Sequence, residues 1–274
     1  MTLQHEPAVF RDTPCIRLHR DGASALIALQ GGQLLSWTPA DGRERLFLAE
    51  RADLASGAAI RGGMPVIFPQ FGGRGALRKH GFARVLDWSF RGVADDAAVF
   101  ELHDGPATAD WPHAFACSLS VVLADTTLTA TLAVENRGDS AFSFTAALHT
   151  YLRVQDIRRA SVEGLQGCHY EDSAGGGGRH RQDAHMLAIE GEVDRIYGDV
   201  AAPLRLLDGT RQLDIAQEGF DDCVVWNPGA DLAARLPDLS PPEYRQFLCV
   251  EAGQVLRPVV LAPGERWRGS QRLG

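Results

Sequence analysis

Residues 127–135 read TLTATLAVE, and this stretch decides the fold class. Its four apolar side chains at 128, 130, 132 and 134 fall on one face of an extended chain, and its threonines fall on the other. Residues 117–123 predict a second strand, and Ala124-Asp125-Thr126 predicts the turn that joins them. The pattern therefore predicts an antiparallel hairpin with one buried face.

A longer alternating run, SAFSFTAALHTYLRV, follows at residues 140–154. Its apolar face carries Phe142, Phe144, Leu148, Leu152 and Val154, and its polar face carries Ser143, Thr145, His149, Tyr151 and Arg153. Further short runs lie at residues 25–37, 97–103, 222–227, 247–252, 255–261 and 265–273. Many short strands with turns between them predict an all-β fold, a large antiparallel β-sandwich or barrel.

Helical signals are weak throughout the chain. No amphipathic pattern reaches three turns, and only Ser240-Pro241-Pro242 has the composition of a capped helix start. No linker, repeat or step in composition divides the chain, and the glycines at 175–178 are too few for a tether. We therefore expect few short helices and a single domain over residues 1–274.

Composition excludes several classes of protein. The chain has 27 Lys and Arg against 35 Asp and Glu, a net charge of −8. This balance disfavours a nucleic-acid partner, since such proteins usually carry a basic excess. The sequence has no stretch of about 18 uncharged apolar residues that would predict a membrane-spanning helix. The start MTLQHEPAVFRD lacks the basic segment and the following apolar segment of a signal peptide. We expect a cytoplasmic protein with no membrane partner, and a monomer.

The five cysteines are odd in number and never spaced as CxxC. This arrangement argues against a disulfide framework and against a structural zinc site. A metal set drawn from His169, His180, Asp183 and His185 matches no ligand spacing. We expect reduced, mostly buried thiols and no metal.

The densest candidate for function is the segment IRGGMPVIFPQFGG at residues 60–73, followed by KHGFAR at 79–84. Its many glycines and prolines exclude a helix or a central strand, so it predicts a long irregular loop. It contains no nucleotide-binding glycine motif. Five cations lie in residues 61–84 with no acidic residue among them, so a local basic segment sits inside an acidic chain: Arg61, Arg74, Arg78, Lys79 and Arg84.

Single polar side chains inside strand patterns are the next candidates. His149 shares a face with Thr145 and Tyr151, a polar wall that a pure core would not tolerate. Glu251 alternates with Leu248 and Val250, so it is either a site carboxylate with a raised pKa or an edge-strand residue facing solvent. Asp194 and Asp222 are equally compatible with turns or salt bridges.

Six blocks of this sequence together resemble a known family. In order they read IRGGMPVIFPQFG, KHGFAR, LHTYLRV, GEVDRIYG, DDCVVWNP and FLCVEAGQV, spread over residues 60–255. They look like the signature blocks of the hexose-6-phosphate mutarotases, or glucose-6-phosphate 1-epimerases, of the galactose-mutarotase-like superfamily. The resemblance implies a large antiparallel β-sandwich with the sugar bound on its concave face and no cofactor.

The same resemblance implies roles for individual residues. His149 would be the general acid and Glu251 the general base, while Arg61 and Arg84 would contact the substrate and its phosphate. Asp194 would contact a sugar hydroxyl, and Lys79 and His80 would also bind the substrate. Some members have Gln where this chain has Lys79, so the contact at that position differs.

The implied activity is interconversion of the α and β anomers of a hexose 6-phosphate through ring opening and reclosure. A His149 with a pKa near neutrality would suit such proton exchange. Three alternatives stay open: a mutarotase of unphosphorylated aldoses, a glycosidase using Glu251 and Asp194, and a catalytically silent carbohydrate-binding β-sandwich.

Overall fold

The computed structural model describes residues 2–274, and antiparallel strands dominate it. In chain order the strands are β1 (Gln4–Phe10), β2 (Thr13–Arg20), β3 (Ala23–Ala28), β4 (Leu34–Thr38), β5 (Val66–Ile67), β6 (Ser89–Ala94), β7 (Ala97–His103), β8 (Phe115–Leu123), β9 (Leu128–Asn136), β10 (Phe142–Leu148), β11 (Tyr151–Arg153), β12 (Ala160–Glu163), β13 (His169–Asp172), β14 (Arg179–Arg181), β15 (Met186–Ala188), β16 (Val193–Tyr197), β17 (Leu204–Asp208), β18 (Arg211–Glu218), β19 (Asp222–Asn227), β20 (Phe247–Leu261) and β21 (Arg266–Leu273).

Helical structure is confined to short pieces between strands. The α-helix α1 spans Gly229–Ala233. The 3₁₀ turns span Ala83–Val85, Pro106–Thr108, Ile157–Arg159 and Pro241–Gln246. The last of these begins at the predicted Ser240 start, where Ser240 and Glu243 form a capping box. None of the helices in residues 2–274 is long and apolar enough to span a membrane.

The strands form sheets of four, eight and nine strands. The four-stranded sheet runs β1-β2-β3-β4, and the nine-stranded sheet runs β15-β12-β17-β18-β21-β9-β8-β7-β6. The eight-stranded sheet runs β14-β13-β16-β19-β20-β10-β5, with β11 also paired to β20. All pairings between these strands are antiparallel, which confirms the predicted fold class.

The main hydrophobic core lies between the two large sheets. Leu119 and Leu132 reach it from the nine-stranded sheet, and Leu148 and Val250 reach it from the eight-stranded sheet. The predicted hairpin is confirmed as β8 paired with β9 around residues 124–127. Alternation along β10 and β11 is also confirmed, since their even-numbered residues from 142 to 154 face this core or are buried. The odd-numbered residues are therefore available to the opposite face of the sheet.

The runs at residues 247–252 and 255–261, read from the sequence as separate strands, form the single strand β20. Its pairing with β10 shifts register between Phe144 and Ala146. Opposite the shift, the Asp222 carboxylate accepts hydrogen bonds from the backbone N–H groups of Val255 and Leu256 at 2.7 and 2.8 Å. Asp222 is thus a structural residue that holds a bulge in β20.

The cysteines are confirmed as free thiols, four of them buried. The single-domain organisation over residues 1–274, the monomeric state and the cytoplasmic location stay predictions.

Candidate active site

A cavity of about 500 Å³ opens on the face of the eight-stranded sheet that is turned away from the main core. Strands β11, β16, β19 and β20, with His149 just before β11, form its floor, and the loop at residues 70–84 forms one wall. The cavity brings together every residue that the sequence assigned to the site: Arg61, Lys79, His80, Arg84, His149, Asp194 and Glu251. Its size is typical of a pocket for a small-molecule ligand.

His149 and Glu251 form a buried pair on the cavity floor. The side chains are only 9% and 1% exposed, and His149 Nδ1 lies 3.3 Å from Glu251 Oε1. The geometry is not that of a hydrogen bond, and within residues 2–274 neither His149 Nδ1 nor Glu251 Oε2 has a hydrogen-bond partner. Buried polar atoms without partners are costly, so these two are available to a bound molecule.

Burial shifts the two groups in opposite directions. It raises the pKa of Glu251 well above its ordinary value of 4.5, and the nearby Asp194 adds to this rise. It lowers the pKa of His149 well below 6.5, helped by the charges of Arg84 and Arg61. The expectation of a neutral-range pKa for His149 is therefore wrong for the free protein. Both shifts disfavour the imidazolium–carboxylate form of the pair in the free protein, because neither charge is solvated.

Tyr151 orients the histidine. Its ring stacks on the His149 ring with centroids 4.9 Å apart and planes 9° from parallel. The Tyr151 hydroxyl accepts a hydrogen bond from Arg61 Nη1 at 3.1 Å. Tyr151 therefore connects His149 to Arg61, the cation at the start of the glycine-rich loop.

Arg61 is neutralised within the protein. Its Nε and Nη2 donate to the two carboxylate oxygens of Asp238 at 3.1 and 3.2 Å, and its guanidinium lies 5.8 Å from the ring centroid of Trp226. Such a two-point pair is geometrically well defined and holds the side chain in place. Arg61 lines the cavity, but Asp238 already offsets its charge.

Arg84 and Lys79 carry charges that the protein does not offset. Among residues 2–274, neither cation has a carboxylate within ion-pair distance, and Arg84 Nε has no hydrogen-bond partner. The Arg84 guanidinium donates a hydrogen bond to the Lys79 carbonyl at 3.0 Å. Burial, together with Arg61 and Arg78, lowers the pKa of Arg84 to about 10. These two side chains make the wall attractive to an anion.

His80 is a neutral hydrogen-bond donor beside the pair. Its Nδ1 accepts from the Gly72 backbone N–H at 3.2 Å, which places its own proton on Nε2. Burial lowers its pKa to about 3, and its ring centroid lies 5.6 Å from that of His149. The next residue must be glycine, because Gly81 has φ +67° and a Cβ there would lie 2.3 Å from the Phe68 carbonyl oxygen.

Asp194 and Trp226 pair across β16 and β19 and line the same cavity. Burial raises the pKa of Asp194, against the opposing influence of Lys79. A carboxylate and a flat aromatic ring side by side can accept hydrogen bonds from hydroxyls and pack against C–H groups. That combination suits a polyhydroxylated ligand.

One group of side chains could hold a metal ion. His149, Cys249 and Glu251 have ligand atoms within 4.8 Å of one another, the donor types of a zinc site. Burial raises the pKa of the Cys249 thiol well above 9.0, however, so the thiolate that zinc requires is disfavoured. The set fits proton transfer by His149 and Glu251 better than metal binding. His169, His180, Asp183 and His185 do not form a comparable group in residues 2–274.

Comparison with known proteins shows which family the chain belongs to. Residues 14–274 match the aldose 1-epimerase family. A relative from Cenchrus ciliaris, provisionally named a glucose-6-phosphate 1-epimerase, is 37% identical over 89% of this chain and 79% of its own. A relative of the same name from Escherichia coli (strain K12) is 34% identical over 83% of this chain and 78% of its own.

The chain belongs to the aldose 1-epimerase family. As a member, it is an isomerase. A crystal structure from Salmonella typhimurium, described provisionally as a mutarotase, superposes with a TM-score of 0.90 at 29% identity, covering 98% of this chain and 92% of that one. The resemblance drawn from the six sequence blocks is thus confirmed at the level of the family.

Sequence reasoning missed several residues of this epimerase-family site. Asp238, the partner of Arg61, lies 177 positions away in a loop with no motif. Trp226 had a usable signal, because it alternates with the buried Val225 along β19 and so faces the cavity. Arg74 was noted only as part of the basic segment, although it lines the cavity as well.

Proposed function

We propose that this protein interconverts the α and β anomers of hexose 6-phosphates, with glucose 6-phosphate as first choice. The observation that carries the proposal is the His149–Glu251 pair, buried with unpartnered polar atoms at the floor of a cavity whose wall holds cations without carboxylate partners. The pair supplies proton transfer, and the wall supplies an anion site.

The chemistry has two balanced proton transfers. Glu251, as carboxylate, removes the proton of the anomeric hydroxyl while the bond from the anomeric carbon to the ring oxygen breaks. His149, as imidazolium, gives a proton to that ring oxygen, which leaves an open-chain aldehyde. Rotation about the adjacent carbon–carbon bond and reversal of both transfers then give the other anomer, and each transfer contributes about 10²- to 10⁴-fold.

This mechanism needs one proton on the pair in total. In the free protein burial lowers the pKa of His149 and raises that of Glu251, and the charges of Arg84 and Arg61 add to the lowering at His149, so the imidazolium form is disfavoured. A phosphate dianion bound by Arg84 and Lys79 would offset the charge of Arg84 and so raise the pKa of His149. Substrate binding thereby favours the protonation state that ring opening requires.

The phosphate is assigned to Arg84 and Lys79. Both line the cavity and lack a carboxylate partner within the described chain, and arginine offers parallel donors to phosphate oxygens. Arg61, neutralised by Asp238, then acts on the sugar side through Tyr151 and His149. Relatives named for glucose 6-phosphate at 34% and 37% identity support the same substrate class.

Three alternatives use the same cavity. A mutarotase of unphosphorylated aldoses needs the pair but not the unpaired cations, and a silent carbohydrate-binding sandwich needs neither proton-transfer group. A glycosidase using Glu251 and Asp194 would leave His149 without a role. The cations and the buried pair together favour the phosphosugar epimerase.

NMR exchange spectroscopy on equilibrated anomers tests the proposal. Catalytic amounts of protein should raise the exchange rate of glucose 6-phosphate above the buffer rate, and raise that of glucose far less. Equal acceleration of both sugars would favour the free-aldose mutarotase. An unchanged rate for every hexose 6-phosphate, with binding retained, would favour the silent binder, and release of reducing sugar from a glycoside would revive the glycosidase.

A further inference from the structure

A second arginine of the glycine-rich loop, Arg74, reaches the mouth of the cavity. Its guanidinium donates to a carboxylate oxygen of Glu171, which connects the loop to strand β13. Arg74 also lines the cavity, and its charge, with that of Lys79, opposes the rise that burial causes in the pKa of Asp194. The cation is therefore held at the rim while its charge acts within the site.

The two arginine–carboxylate pairs of this cavity differ in how firmly they hold. Arg61 and Asp238 are 21% and 20% exposed and share two hydrogen bonds. Arg74 and Glu171 are 39% and 46% exposed and share one. Exposed single-contact ion pairs contribute little free energy, so Arg74 can leave Glu171 at small cost.

The backbone around Arg74 leaves it room to move. Gly72 and Gly73 precede it, and a Cβ at either position would meet nothing within 4 Å. A side chain would therefore have open space at either position, although the Gly72 backbone is hydrogen-bonded to His80. Arg74 is itself exposed and already lines the cavity, so a turn from Glu171 toward the cavity is a change of side-chain rotamer.

We propose that Arg74 is an exchangeable phosphate ligand. When a sugar phosphate is bound at Arg84 and Lys79, Arg74 breaks its ion pair with Glu171 and binds the same phosphate group. Glu171 is then a competitor for Arg74 and sets the affinity for the phosphorylated sugar. This inference rests on the proposed function, because it requires the phosphate to occupy the cationic wall.

Exchange gives the two partners of one ion pair opposite effects. Arg74→Gln removes a phosphate ligand and should weaken glucose 6-phosphate binding by about fivefold. Glu171→Gln frees Arg74 and should tighten binding by about twofold to fivefold, the range expected for an exposed ion pair. A purely structural pair would give both variants the same sign.

Calorimetric titration of the whole protein with glucose 6-phosphate, and in parallel with glucose, makes the measurement. Arg205→Gln and Asp214→Asn provide a matched control pair, since these partners are 44% and 55% exposed and lie on β17 and β18, away from the cavity. Thermal unfolding of each variant checks that the fold is retained. The gain from Glu171→Gln should shrink at high salt, since screening weakens the pair that it removes.

Opposite shifts for the Arg74 and Glu171 variants, with unchanged glucose binding and unchanged controls, would support the exchange. Weaker binding in both variants, or no change in either, would overturn it while leaving the proposed function intact. A wild-type protein that binds glucose 6-phosphate no better than glucose would overturn the proposed function, and this inference with it.

Discussion

Two buried carboxylates on neighbouring strands of one sheet have opposite surroundings. Asp222 on β19 is 2% exposed and Glu251 on β20 is 1% exposed. Burial raises the pKa of both. Asp222 accepts two backbone hydrogen bonds, from Val255 and Leu256, whereas Glu251 Oε2 has no partner within residues 2–274.

The difference separates a structural acid from a candidate catalytic one. Desolvating a carboxylate is costly. At Asp222 this cost is offset by the hydrogen bonds that the carboxylate accepts from backbone N–H groups of the bulge. Glu251 Oε2 accepts no such bond within residues 2–274, and the carboxyl group lies beside an equally unpartnered His149 nitrogen. A ligand that supplies hydrogen-bond partners to Glu251 and His149 therefore gains binding free energy.

The largest expected effect is loss of anomer exchange when the pair is broken. Glu251→Gln and His149→Ala should each lower kcat by about 10²- to 10⁴-fold, since each removes one proton-transfer group. The double variant should be little worse than either single variant, because the two groups act as a unit. Steady-state kinetics on glucose 6-phosphate would measure this, and losses that multiply would show that the residues act independently.

The next effect is on stability, and it falls on the other carboxylate. Asp222→Ala leaves the N–H groups of Val255 and Leu256 without their acceptor and should lower the free energy of unfolding by about 2 kcal/mol. Urea denaturation would measure it, with activity largely kept in the folded fraction. A variant as stable as wild type would show that the bulge does not need Asp222.

The pH dependence of stability should also distinguish the two acids. The pKa of Glu251 is higher in the folded state than 4.5, so the folded state holds a proton that the unfolded state releases. That contribution is complete below pH 4.5 and is lost as the pH rises toward the folded-state pKa. Glu251→Gln removes this pH dependence. Its free energy of unfolding should therefore rise relative to that of wild type by up to about 1.4 kcal/mol for each unit of increasing pH.

Urea denaturation between about pH 5 and pH 8 measures this slope. The free energy of unfolding of Asp222→Asn should rise less with pH relative to wild type, because the two backbone N–H groups that donate to Asp222 oppose the rise in its pKa. Equal slopes for the two variants would contradict the distinction between a satisfied and an unsatisfied carboxylate.

The smallest expected effect concerns the cationic wall. Lys79→Gln should raise KM for glucose 6-phosphate by about twofold to fivefold, as expected for an exposed charge, and leave KM for glucose unchanged. Arg78→Gln is the matched control, an exposed cation of the same loop that does not line the cavity. Equal effects of the two variants would remove Lys79 from the phosphate site.

The sequence predicted much of the fold because alternation is a local property. The threonine run at 127–135 and the faces of residues 140–154 follow from the pleat alone, so β9, β10 and β11 were predictable. The continuity of β20 was not, since Gly253 interrupts the pattern and the bulge depends on Asp222, about 30 residues earlier.

The site was predictable in its members but not in its charge states. His149 and Glu251 stand out as polar residues within apolar strands, and the motif blocks mark Arg61 and Arg84. The pairing of Arg61 with Asp238 and the lowered pKa of His149 depend on contacts across the fold. Spacing along the chain carries no information about either.

One measurement tests the central claim most directly: the anomer exchange rate of glucose 6-phosphate by NMR with wild type, Glu251→Gln and Asp222→Asn at equal concentrations of folded protein. We expect exchange to rise in proportion to protein concentration for wild type and Asp222→Asn, and to stay at the buffer rate for Glu251→Gln. Undiminished exchange with Glu251→Gln would contradict the assignment of Glu251 to proton transfer.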